Sequence, residues 1–174
     1  GKDQVTVEPV QLDELVLEMA QLLEASVSRK VQFSYQFASD LPPIEADATQ
    51  VRQVIMNLIL NAAEAMGARG GLIILRTEIL PDAASVVDGS VFEGAVAQTP
   101  HVRLEVEDTG PGMNAETAAR IFDPFFTTKF SGHGLGLSAV QGIMRAHCGA
   151  ILVDSHPGQG TRFSLLFPAC EPGE

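Results

Sequence analysis

The sequence predicts an α+β domain, a two-layer α/β sandwich in which one mixed sheet is covered on one face by about three helices. Apolar residues recur at helical spacing in some segments and alternate, or run continuously, at strand spacing in others. The two kinds of segment follow each other in mixed order. At 174 residues, 45% of them hydrophobic, the chain suits one domain with a substantial core, residues 1–174, and is short for two.

Residues 11–27 (QLDELVLEMAQLLEASV) place Leu12, Leu15, Val16, Met19, Leu22 and Leu23 on one stripe of an amphipathic helix. VQFSYQFA alternates Val31, Phe33, Tyr35 and Phe37 against Gln32, Ser34 and Gln36, a half-buried strand, and Pro42 and Pro43 break the chain before a short IEA segment. Asp47, with Gln50 three residues later, has the form of a capping box. It opens a second helix running to about Met66, with Val51, Val54, Ile55, Leu58, Ile59 and Ala62 as its buried stripe.

Beside that stripe, Gln53, Asn57, Asn61 and Glu64 form a polar line at spacings of four, four and three. A solvated face would serve, but such faces favour Lys, Glu and Arg, whereas asparagine is a mediocre helix former. Two asparagines one turn apart are therefore read as aimed at a ligand.

GLIILRTEI (71–79) reads as a buried strand, and HVRLEVED (101–108) as another in which Val102, Leu104 and Val106 alternate with charged residues. Between them, residues 81–100, fenced by Pro81 and Pro100 and holding an Asp88-Gly89 turn signal, are expected to be a flexible insertion, a hairpin or loop. A short helix near 114–120, capped by Asn114, follows EDTGPGM. SGHGLGLSAVQG then sets Gly132, Gly134 and Gly136 ahead of a helix whose Leu135, Val140, Ile143, Met144 and His147 share a face, with Gly149 as its stop. AILVDS and GTRFSLLF, joined by HPGQG, are the last two strands.

The formal net charge of -11 argues against a nucleic-acid partner, because such affinity comes largely from Lys and Arg. No apolar run approaches 18 residues and no charged-then-apolar leader is present, so no membrane insertion by this chain is expected. Cys148 and Cys170 make neither a disulfide framework nor a metal site of usual spacing, which fits a reducing, cytoplasmic setting. The scattered His101, His133, His147 and His156 offer no zinc pattern.

Glycines at a helix mouth let a phosphate chain approach unpaired backbone N–H groups and the positive end of the helix dipole. Neither standard phosphate motif fits: no Lys-Ser/Thr pair follows Gly136, and no strand leads directly into the glycines. Asp108 ends a strand with Gly110 and Gly112 just beyond. A carboxylate accepts hydrogen bonds from an exocyclic amine, and the glycines let a ligand plane lie against backbone.

In this order, QVIMNLILNAAEAM, EDTGPGM, IFDPFFTTK, GHGLGLS and GQGT resemble the N, G1, F and G2 boxes and the terminal glycine-threonine motif of the catalytic and ATP-binding domain of sensor histidine kinases. That group sits in the superfamily that includes type II topoisomerase, heat-shock chaperone and mismatch-repair ATPases. The resemblance runs from about Val7 to Phe167, and NAAEAM and FFTTK are most similar to the nitrogen-regulator-like branch.

The resemblance implies a Bergerat-type ATP-binding fold with ATP and Mg²⁺ as cofactors. It implies that Asn61 is the metal ligand, with Asn57 one turn earlier in the same pocket, and that Asp108 binds the adenine amino group with support from Thr161. Gly110 and Gly112 would flank the base, while Gly132, Gly134 and Gly136, with neighbouring Leu135 and Leu137, would pass the phosphates over the helix mouth. Residues 122–134 would form an ATP lid beginning at Phe122. Lys129 would contact the γ-phosphate or be an exposed lid cation, and His133 has the same two readings. Glu64 stands where many relatives carry a lysine near the phosphates.

Relatives that hydrolyse ATP place a glutamate general base at the position of Asn57, and an amide cannot take a proton from water at neutral pH. The implied activity is phosphoryl transfer to a histidine, not hydrolysis. That histidine is expected on a dimerisation domain of the same full-length kinase, without which this chain would be inactive, and the downstream partner would be a response regulator receiver domain. An anti-sigma-type serine kinase and a nucleotide-binding regulatory module without transfer activity are the competing readings.

Overall fold

The structure, a computed structural model, describes residues 6–81, 91–94, 100–123 and 134–170, with backbone alone at 91–94, 134 and 135. In chain order its elements are β1 Glu8–Val10, α1 Leu12–Glu24, β2 Val31–Phe37, β3 Ile44–Ala46, α2 Ala48–Met66, β4 Gly71–Leu80, β5 Val91–Gly94, β6 His101–Asp108, α3 Ala115–Arg120, α4 Gly134–Ala146, β7 Ala150–Ser155 and β8 Thr161–Pro168. Six strands form one sheet in the order β2-β4-β6-β8-β7-β5, and β1 pairs with β3 in a small separate ribbon. Only the β2-β4 pairing in the large sheet is parallel, so the sheet is mixed as expected.

Alternation along the strands divides the sheet into two unlike faces. On one, Ile73 and Leu75 of β4, Val102, Leu104 and Val106 of β6, Ile151 and Val153 of β7, and Phe163, Leu165 and Phe167 of β8 are buried in a common core with residues of α1, α2 and α4. Val51, Val54, Ile55, Leu58 and Ile59 of α2 are fully buried within it, matching the stripe read from the sequence. The opposite face carries ion pairs. Glu105, its side chain 7% exposed, has Arg103 at 3.2 Å, Arg162 at 3.4 Å and Arg76 at 3.9 Å. These arginines also pair with Glu78, Asp154 and Glu107, and burial pushes the Arg103 guanidinium below its ordinary pKa. A face so charged is stable in water, which explains why helices cover only the other one.

Four local expectations are corrected. Leu22 is 62% exposed and Ala20 takes its place in the buried stripe of α1, because successive helical residues point about 100° apart and Leu23 faces the sheet. The capping box is only half made. Asp47 Oδ1 accepts from the N–H groups of Thr49 and Gln50, but Gln50 Oε1 has no partner among the described residues, and the Asp47 N–H donates to His147 Nε2 at 3.1 Å. The stop of α4 is Cys148, at φ 57°, while Gly149 is needed because a Cβ there would collide with the Leu166 carbonyl oxygen. The expected 81–100 loop contains β5, an edge strand antiparallel to β7, and residues 82–90 and 95–99 lie outside the described residues. Asn114 caps α3 by accepting from the Thr117 N–H, as its position predicts. Among the described residues, no helix is long and apolar enough to cross a membrane.

Hydrogen bonds from the N–H groups of Thr6, Gln50 and Thr49 hold the Asp47 carboxyl below its ordinary pKa. A carboxylate with a depressed native pKa contributes stability above its unfolded value of about 3.9 and loses it as pH falls through the native value. Asp47→Ala is therefore expected to lower the urea midpoint at neutral pH, and the gap to wild type should close as both are acidified below about pH 4. Urea titrations across that range check the sign.

Candidate functional site

The seating of α2 fixes the direction of its polar line. With Val54, Leu58 and Ile59 turned into the core, Asn57, Leu60, Asn61 and Glu64 line a pocket of about 180 Å³ whose far side, among the described residues, is Gly136 and Leu137 of α4. Asn57 Nδ2 donates to the Gly136 carbonyl at 3.1 Å, so the first turns of α4 are tied directly to the middle of α2. The side chains present are amides, one carboxylate and two leucines. Amide and carboxylate oxygens are the donors a hard divalent cation accepts.

The other end of α2 rests on the turn that follows β6. At Gly110 a Cβ would sit 3.4 Å from the Ala65 carbonyl and 3.4 Å from Met66 Cγ, which shows how closely that turn packs against the last turn of α2. Asp108, only 3% exposed, ends β6 with its Oδ1 accepting from the Gly110 N–H at 2.8 Å. Thr161 stands opposite Asp108 in the β6-β8 ladder, and its Oγ1 lies 2.8 Å from Ser155 Oγ. Ser155 Oγ also accepts from the Met113 N–H at 2.8 Å and donates to the Gly160 carbonyl at 3.1 Å. This hydroxyl joins the ends of β7 and β8 to the turn that follows Asp108. Ser155 was not identified as part of the site by sequence reasoning, nor was the contact of His147 with the start of α2, because the partners Met113 and Asp47 are distant in the chain and leave no local pattern.

Gly112 and Gly160 have backbone reasons to be glycine. Both have φ in the left-handed region, at 71° and 76°, and a Cβ would collide with the carbonyl oxygen of His156 at the first and of Asp108 at the second. Gly160 was legible only as the second glycine of GQGT.

Residues 46–171 match the family described as Histidine kinase-, DNA gyrase B-, and HSP90-like ATPase. The chain belongs to that family. It is 38% identical over 163 residues to the sensor kinase CckA of Brucella abortus (strain 2308), covering 92% of this chain and 17% of CckA. It is 35% identical over 162 residues to the sensory histidine kinase/phosphatase NtrB of Rhizobium meliloti (strain 1021), covering 92% of this chain and 41% of NtrB. The chain thus spans less than half the length of these curated relatives. The catalytic domain of the histidine kinase ThkA superposes with a TM-score of 0.75 at 29% identity, over 94% of this chain and 96% of that one. Full-length ShkA in complex with AMPPNP superposes at TM-score 0.77 and 28% identity, over 100% of this chain and 33% of ShkA. ThkA in complex with the response regulator TrrA also matches, at TM-score 0.70 and 25% identity, over 98% of this chain and 44% of that one. In kind, this is the ATP-binding catalytic domain of a two-component sensor histidine kinase.

The expected site residues of this histidine kinase domain divide four ways. Asn57, Asn61, Gly136 and Leu137 meet at one pocket; Asp108, Gly110, Gly112 and Thr161 meet at the end of β6. Phe122 lies in the core beside Ile121 and is not among the residues lining the pocket. Lys129, Gly132 and His133, with all of the 122–134 lid between Phe122 and Gly134 except Asp123, lie outside the described residues, as does the Leu135 side chain.

Gly136 differs from Gly112 and Gly160. A Cβ there would come no closer than 4.0 Å to Asn57 Cγ and Nδ2, so packing among the described residues does not require glycine. Replacing helical glycine by alanine stabilises by up to about 1 kcal/mol. Gly136→Ala is expected to raise the melting temperature while weakening nucleotide binding, since the added methyl faces Asn57 across the pocket. Gly142→Ala, with open space at its Cβ, should raise stability without touching binding. Thermal melts beside nucleotide titrations of both variants separate the two effects.

Proposed function

We propose that this domain binds ATP with Mg²⁺ between α2 and α4 and passes the γ-phosphoryl group to a histidine on a separate dimerisation domain of the same protein. The observation that carries the reading is the joining of Asn57, Asn61 and Glu64 with the glycine-opened helix α4 around one pocket, at the end of the sheet where Asp108 is buried. The donor set suits the metal: oxygen ligands, few in number, as expected where a nucleotide supplies the rest of the coordination. Among the described residues no cluster of three His, Cys, Asp or Glu competes with it as a metal site.

Mg²⁺, when bound, neutralises phosphate charge. Asn61 would hold the metal through its amide oxygen, and Asn57, now bonded to the Gly136 carbonyl, would be free to turn its amide to the ligand in a filled pocket. Asp108 would accept the adenine amino group, its carboxylate held by the Gly110 N–H, with Thr161 beside it across the ladder. The N–H groups at the mouth of α4 receive the phosphates, and residues 122–134 cover them with Lys129 and His133 as the available cations. Asn57 cannot act as a base toward water, whereas a neutral imidazole is already a nucleophile, so transfer to histidine is favoured over hydrolysis. The downstream partner is a response regulator, a reading supported by the ThkA complex with TrrA. The setting is cytoplasmic.

Calorimetric titration with AMPPNP, with and without Mg²⁺, tests the site. Wild type is expected to bind in a Mg²⁺-dependent manner, Asp108→Ala to lose about 100-fold or more in affinity through its missing charged acceptor, and Asn61→Ala to lose the Mg²⁺ dependence. Folded wild type that gives no heat at millimolar nucleotide overturns the reading. Mixing the chain with the isolated dimerisation domain and ATP should yield acid-labile phosphohistidine, with little turnover by the chain alone. Transfer to a serine of a partner, or binding without transfer, would assign it to the competing classes.

A further inference from the structure

His147 is 8% exposed, is not used by the chemistry above, and makes the contact that ties the two helices of the pocket at their far ends. Its Nε2 lies 3.1 Å from the backbone N of Asp47, the N-cap of α2. A backbone N–H only donates, so Nε2 is the acceptor and carries no proton. The neutral ring then holds its proton on Nδ1, which lies 2.8 Å from the Ile143 carbonyl and donates to it. Phe167 meets the ring edge-on, at 6.4 Å between centroids and 86° between planes. Two hydrogen bonds and one aromatic contact leave the imidazole no freedom to turn.

The second tie between these helices is Asn57 to Gly136. The two ties are separated by ten residues on α2 and eleven from Gly136 to His147, about 15 Å on each at the helical rise of 1.5 Å. Val140 and Met144 of α4 are buried in the common core between the two ties, so packing holds the helices together and the ties set their offset at each end. The Asn57 tie is formed by residues that line the pocket, where a bound nucleotide would compete for the amide, whereas the His147 tie lies outside the lining and is not open to that competition.

We propose that His147, as the neutral Nδ1–H tautomer, is a positioning residue of the nucleotide site, holding α4 on the N-cap of α2 so that the Gly136 end meets Asn57 and the incoming phosphates. This rests on the nucleotide reading above. His147→Gln sets an amide oxygen near the place of Nε2 and keeps an acceptor for the Asp47 N–H; His147→Leu keeps bulk and removes it.

At a temperature where circular dichroism shows every variant folded, His147→Leu is expected to bind AMPPNP with Mg²⁺ about tenfold more weakly, and His147→Gln close to wild type. A residue that merely supported the fold would lower the melting temperature and leave that affinity unchanged, and a folded Leu variant of wild-type affinity overturns the proposal. Nitrogen-15 histidine spectra of wild type should show Nδ1 protonated and Nε2 bare; a proton on Nε2 overturns it equally, including where the Leu variant does not fold. Should wild type fail to bind nucleotide, the parent reading falls, yet the tie is still read from the Asn57 side-chain amide resonances. His147→Leu should move them and His147→Gln should not; resonances unmoved by His147→Leu overturn the proposal.

Discussion

The packing of α2 against the sheet is the constraint from which the pocket follows. Val51, Val54, Ile55, Leu58 and Ile59 are all removed from water, and truncating one large aliphatic side chain in such a core costs about 2–5 kcal/mol. Against this, the poor helix propensity of an asparagine costs no more than about 0.7 kcal/mol per residue. The apolar stripe wins several times over and keeps helical a segment that its polar line alone would weaken. It also sets the rotation of the helix, for a turn about its axis by one residue would expose the stripe and bury the amides without partners. Burial and chemistry therefore reside in the same nineteen residues, on faces that cannot be changed independently.

The far end of the site depends on strand register. Asp108 is buried because it is the last residue of β6, with Ile73 of β4 and Thr161 of β8 as its ladder neighbours. A slip of one residue would send it to the charged face with Glu105 and Glu107. The ion pairs on that face help exclude such a slip, since Glu105 meets three guanidinium groups only in the observed register. Their own energy is modest where exposed, but uncompensated arginines against apolar strands would be costly. This also bears on the acidity of the chain. Seven charged side chains, Arg76, Arg103, Arg162, Glu78, Glu105, Glu107 and Asp154, are spent in pairs on the face away from the helices, and among the described pocket residues only Glu64 carries charge, so in the proposed complex neutralisation of phosphate falls to the metal, the helix mouth and the cations of residues 122–134.

The regular elements were legible because periodicity reports which way a side chain points. The stripe of α2, the alternation in β6 and the cap at Asn114 needed no partner from elsewhere in the chain. Leu22 was misread since the hydrophobic pattern gives direction around a helix without saying how wide a sector the sheet covers. Gln50 was misread for a different reason: the donor it would have satisfied goes to His147, one hundred residues later, and local motifs cannot register a competitor at that distance. The strand β5 was hidden by its flanking turn signals, because a four-residue edge strand is defined by its neighbour β7 more than by its own sequence. Of the site, both asparagines and Asp108 were visible as residues of the wrong type for their surroundings, whereas Ser155 was not, a serine at a strand end being ordinary.

The glycines show how far pattern alone could go. In sequence, Gly110-Pro111-Gly112, Gly134-Leu135-Gly136 and Gly158-Gln159-Gly160 are one motif repeated, two glycines around a single residue. Physically they differ. Gly112 and Gly160 sit at positive φ against the carbonyl oxygens of His156 and Asp108, so the fold would demand glycine there whatever the protein did. Gly136 sits in a helix, where glycine is unfavourable, and among the described residues the space beside it would accept a methyl group. A residue that costs stability and that no described neighbour requires calls for another reason, and among the described residues the one its missing side chain would meet is Asn57 in the pocket. The same letter thus marks a backbone necessity at two positions and, at the third, a place kept clear for a ligand.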